Sequence, residues 1–163
     1  MRMLMIVLRF AHVFFGALWV GMMAFQVYFL MPALSEAGPD AGKVMGALVR
    51  RRIPVIMPIF ALITLISGIW LYQRLSGGNM GALMRTSVGQ AFAAGGAAAL
   101  LAFLLGIVIM RPAMLRSMKL AESRDPAALA EVQRLRARGA VMGNVVTVLL
   151  LFTLAAMAVA RYL

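Results

Sequence analysis

The chain has no cysteine, which excludes disulfides, thiolate metal sites and a cysteine nucleophile. It has one histidine and only five carboxylates in 163 residues. Those five, Glu36, Asp40, Glu122, Asp125 and Glu131, fall in the predicted connections between hydrophobic segments. No acid is then available within a membrane for proton-coupled transport. No Ser/His/Asp set, Gly-rich phosphate loop or metalloprotease helix is present either. Charge of any sign is scarce, at 13% of residues against 64% hydrophobic, and mean hydropathy is +0.95. Soluble domains are nearer about 45–50% apolar, so an all-α integral membrane protein is expected. The sixteen Lys and Arg sit beside hydrophobic segments. There they read as topology signals and headgroup contacts in a lipid bilayer, and no nucleic-acid partner is expected.

Four segments reach the roughly 20 residues needed to cross a bilayer, at about 8–32, 54–73, 87–110 and 141–161. They predict one four-helix bundle over 1–163. Pro32 is expected to end the first span, and Arg111 with Pro112 the third. Between the first two spans, KVMGALVRRR (43–52) suits either a surface helix beneath headgroups or a loop with anchoring arginines. Asp125 followed by Pro126 is a good helix start, leading straight into the fourth span. Met57, Ala61, Thr64 and Gly68 form a small, mildly polar line on the second span. Gly95, Ala99, Ala102 and Gly106 form a small-residue seam on the third, where a bulky side chain at either glycine is expected to force helices apart. FLMPAL (29–34) resembles VIMRPAML (108–115), and each precedes an acidic turn and a basic cluster. Two related helical hairpins would give this pattern.

The basic residues divide unevenly. Eleven lie in the first and third connections (Lys43, Arg50, Arg51 and Arg52, then Arg111, Arg116, Lys119, Arg124, Arg134, Arg136 and Arg138), and five lie elsewhere. The positive-inside rule then predicts cytoplasmic connections one and three, with both termini outside.

The first span carries the only histidine. At 3.6 residues per turn Arg9, His12, Gly16, Trp19, Met23 and Gln26 fall within roughly 100° of one another. In lipid such a stripe must face protein or a cavity. The His12 imidazole can bind heme iron or copper, relay a proton, or simply bond a neighbouring helix. For heme b the candidate residues are His12, with Trp19 on the same stripe, Met157 as a second axial donor at similar depth, and Arg9 or Arg85 to meet propionates. For Cu(I) they are His12 with the thioethers of Met1, Met3, Met5, Met80 and Met84, all on one membrane side. Equally open is a cofactor-free subunit whose small-residue seams serve a homo-oligomer or a larger membrane complex.

RFAHVFFGALWVGM and RRRIPVIMPIFALITLISGIWLY resemble the first two helices of HemJ-type bacterial protoporphyrinogen oxidases and of the wider group with CopD-type copper-resistance domains. His12, Trp19, Gly21, Arg51, Pro58 and Gly68 match that pattern in order, over roughly 5–73. The resemblance implies an all-helical bacterial inner-membrane fold and b-type heme. The lysine that HemJ-type proteins carry at the start of helix three is replaced by MRTSVGQAF. Protoporphyrinogen oxidation is therefore not expected, and the resemblance points to a divergent branch.

Overall fold

The computed structural model describes residues 2–121, 123 and 125–163, and these form helices joined by short turns. They run α1 (Arg2–Phe25), α2 (Met31–Glu36), α3 (Ala41–Arg50), α4 (Ile53–Leu75), α5 (Met80–Met84), α6 (Ser87–Leu105), α7 (Arg111–Ala121) and α8 (Pro126–Val159). Four continuous rods, Arg2–Glu36, Ile53–Leu75, Ser87–Ala121 and Pro126–Tyr162, are long and apolar enough to cross a membrane. Their outward faces carry large apolar side chains such as Phe10, Val13, Ile66 and Val148. In water that much apolar surface would be costly, and against acyl chains it is not. The protein is a multi-pass helical membrane protein.

The rods pair as two antiparallel hairpins: α1 packs chiefly against α4, and α6 against α8. One core joins them, with Trp19 and Met23 from α1, Ala61 from α4, Ala99 and Ala102 from α6, and Val146 and Leu150 from α8. The expected seam on α6 is buried at Gly95, Ala99 and Ala102. A side chain added at Gly95 would sit 3.2 Å from the Ala156 Cβ. Gly106 departs from the expectation, because a Cβ there meets nothing within 4 Å. Thr147 is fully buried but satisfied, its hydroxyl donating to the Gly143 carbonyl at 2.8 Å. The more exposed Asn144 bonds the Ala140 carbonyl.

Two predicted helix ends are corrected. The first rod passes through Pro32 to Glu36, and the third through Pro112 to Ala121. Each crosses its proline by a five-residue π turn, Gln26–Leu30 and Gly106–Met110. In these turns the Met31 N–H reaches the Gln26 carbonyl and the Arg111 N–H the Gly106 carbonyl. Proline in a helix loses one backbone bond and crowds the carbonyl four residues back. The wider turn moves that carbonyl aside, so the helix continues. Both π turns begin six residues before their proline, so the faint repeat in sequence has a geometric counterpart. Both also border α8, where a Cβ on Gly143 would lie 3.1 Å from Val27 and 3.7 Å from Met110.

The connections are more ordered than their composition suggests. KVMGALVRRR is helical as α3 up to Arg50, and Arg52 in the left-handed conformation (φ 57°) turns the chain into α4. In the Gly-rich loop, Asn79 accepts from the Ala82 N–H and caps α5. Asp125 caps α8 through the Ala127 N–H at 3.0 Å, as its Asp-Pro start implies.

Candidate functional site

The stripe on α1 faces protein where its side chains are uncharged. Trp19 and Met23 are buried in the shared core, and a Cβ on Gly16 would lie 3.3 Å from the Thr64 Cγ2. The helices come close here because glycine on one side meets a short β-branched side chain on the other. One turn toward the N-terminus, His12 reaches across to α4. Its Nδ1 lies 2.9 Å from the Thr64 carbonyl oxygen. A carbonyl can only accept, so Nδ1 carries the hydrogen, and Nε2 is the nitrogen left for any ligand that the imidazole takes.

Three neighbours on α4 hold this geometry. Thr64 donates its hydroxyl to the Phe60 carbonyl at 2.8 Å, which turns that hydroxyl back along its own helix. Ser67 donates to the Ile63 carbonyl and shares the Thr64 carbonyl at 3.1 Å. Gly68 makes the space: a Cβ there would stand 2.7 Å from the imidazole Cε1 and 3.0 Å from Nδ1. Thr64 and Gly68 belonged to the small line read on the second span. Their pairing with His12 was not read, although glycine opposite the chain's one histidine, with threonine a turn away, is the signal that could have given it.

The remaining candidates do not all converge on the imidazole. Arg9 and Arg85 are exposed. Trp19 sits in the four-helix core rather than beside the imidazole's hydrogen bond. The Met157 Cε packs at the α6–α8 crossing, where a Cβ on Gly95 would come within 3.4 Å of it. Met1 lies outside the described residues. Met3 and Met5 stand two apart on α1, a spacing that points side chains in different directions. Met80 and Met84 share one face of α5, and the Met84 sulfur accepts from the Tyr72 hydroxyl at 2.9 Å. Among the described residues no three of His, Cys, Asp or Glu gather as a cation site.

Tyr72 belongs to a second cluster that the sequence did not disclose. Its hydroxyl also approaches the Gly89 carbonyl at 3.2 Å, while Thr86 caps α6 by accepting from the Gly89 N–H at 3.0 Å. These bonds clasp α5 against the mouth of the bundle on the side where His12 lies. Compared with protein-family models, with curated proteins and with solved structures, the chain finds no match in any of the three.

Proposed function

We propose that the protein is a membrane-embedded heme b protein in which His12 supplies an axial ligand. One observation carries this reading: the His12 Nδ1–H is spent on a backbone carbonyl of the neighbouring helix. Metal-binding histidines almost always donate their second ring N–H in this way, which fixes the tautomer and orients the free nitrogen. The donor chemistry fits one axial position, and the resemblance of residues 5–73 to HemJ-type helices supports the same cofactor. When bound, heme iron would supply one-electron chemistry. The chain's own part is to pin the imidazole between α1 and α4, with Arg9 and Arg85 as candidate partners for propionates. Met157 as second ligand would have to leave the Gly95 notch, so the reading rests on His12 alone.

The test is spectroscopic. Protein produced with ample heme and purified in detergent is expected to give a reduced-minus-oxidised heme spectrum, lost in His12→Ala. A wild type without that signal ends the heme reading, and heme retained in His12→Ala ends the ligand assignment. Cu(I) held by Met80, Met84 and His12 is the second reading, favoured by the shared face of the two methionines on α5. Metal analysis of the same samples separates it. A cofactor-free subunit of a homo-oligomer or larger complex would show neither heme nor copper, and only a mild stability loss in His12→Ala.

The proposed setting is the bacterial inner membrane, with both termini outside and connections one and three in the cytoplasm. The division of arginines supports this. A reporter fused after Leu163 is expected to report a periplasmic end, and cytoplasmic activity there would reverse the orientation.

A further inference from the structure

Beyond the last apolar turn of the third rod, α7 and the first half of α8 run side by side outside the apolar segments. Between them lies a groove of about 210 Å³. Val108, Ile109, Ala113 and Leu135 give it an apolar floor, and Arg116 and Arg138 stand at its rim. The π turn Gly106–Met110 opens directly into it, and the small Ala113 leaves the two helices unfilled. Among the described residues, one carboxylate pairs with an arginine here: Glu131 takes a single contact from Arg116 Nη2 at 3.3 Å. Arg138 has no carboxylate within ion-pair distance among the described residues. Along the helices, Arg138 is three residues before the fourth apolar span at Val141, and Arg116 six residues beyond Met110. At 1.5 Å per residue that is roughly 5 and 9 Å along the helices past the apolar segments, within or just beyond the layer of roughly 5–7 Å that headgroups occupy on each side of the hydrocarbon.

We propose that this groove is a binding site for one anionic phospholipid, its phosphate held between Arg138 and the open donors of Arg116 and an acyl chain laid along Val108 and Ile109. The two halves of the groove match the two halves of such a molecule. Guanidinium pairs with phosphate by two parallel N–H···O bonds. Basic pockets between membrane helices are where anionic headgroups settle. A free anion leaves the floor bare, and a zwitterionic lipid brings its phosphate together with a headgroup cation that offsets the attraction to the two arginines.

The test uses the full-length protein in detergent, with native mass spectrometry reading retained lipid during titration with cardiolipin or phosphatidylcholine. Cardiolipin is expected to bind at defined stoichiometry and phosphatidylcholine weakly. Arg138→Gln should weaken cardiolipin roughly fivefold, as expected for about one guanidinium near a lipid surface. Leu135→Trp, which fills the groove without changing charge, should weaken it too. Arg136→Gln removes the same charge from a neighbouring position pointing about 200° away on the helix and should leave binding unchanged. Equal losses in Arg136→Gln and Arg138→Gln would reduce the site to a diffuse basic surface and overturn the proposal. Displacement of cardiolipin by inorganic phosphate at matched concentration would overturn it as well, since the acyl chain would then add nothing. Arg138 is exposed and outside the core, so its variant remains folded and the comparison stands whether or not Leu135→Trp does.

Discussion

Gly89→Ala is expected to lower the unfolding free energy in detergent by about 3 kcal/mol or more, the range of severe overpacking. Gly89 enters α6 directly beneath the end of α5. An added Cβ there would collide with the Leu83 carbonyl group and stand 3.0 Å from the Leu83 Cγ. A flexible side chain could yield, but a peptide unit tied into a turn cannot. The Leu83 carbonyl already accepts from the Thr86 N–H at 3.0 Å and the Thr86 hydroxyl at 2.7 Å. Relief of the clash therefore breaks the Thr86 cap and loosens the Tyr72 contact with the Gly89 carbonyl. Thr86→Ala alone should cost about 1 kcal/mol, the usual worth of an N-cap. Thermal unfolding of the two variants beside the wild type checks the ranking. A wild-type transition in Gly89→Ala would show that the corner opens freely.

Gly68→Val is expected to evict the His12 ring. The imidazole edge occupies the space where the new Cβ and its two methyls would go. The ring must swing off its rotamer and give up the Thr64 carbonyl, at a combined cost of about 2 kcal/mol. Any heme absorbance should fall to the level of His12→Ala. The decisive comparison is a double-mutant cycle. With His12 already alanine, Gly68→Val meets little obstruction and should be far better tolerated, so the two substitutions couple strongly. Additive losses would mean that Gly68 is needed for the helix crossing itself rather than for the ring.

Much of this architecture is legible in the sequence because lipid imposes a simple rule: apolar outside, small or polar inside. The four rods, the α6 seam at Gly95, Ala99 and Ala102, the α4 line of Ala61, Thr64 and Gly68, and the Asp125 cap all follow from spacing and composition. Misreadings cluster where local rules meet tertiary relief. Pro32 and Pro112 are helix breakers by rule, yet a π turn placed before each lets the rod continue, and no residue type marks a π turn. Gly106 extends the seam by spacing, but it begins such a turn and meets no neighbour. Spacing also does not tell which helix a long side chain lies against, as the Met157 Cε beside Gly95 illustrates. His12 was legible as the polar centre. Its acceptor was not, because that acceptor is a backbone carbonyl, which every residue has.

His12, Thr64, Ser67 and Gly68 all belong to the first hairpin. This has a consequence for the order in which the protein is made. Chains lengthen at roughly 5–20 residues per second, so α1 and α4 can meet several seconds before the last residues of α8 exist. In that interval Trp19, Met23 and Ala61, later shared with the second hairpin, face acyl chains, which are as accommodating to them as other apolar side chains. The polar members do not wait for partners. Thr64 and Ser67 bond carbonyls of their own helix, and the imidazole bonds the helix beside it. The histidine cluster is thus complete as a nascent intermediate.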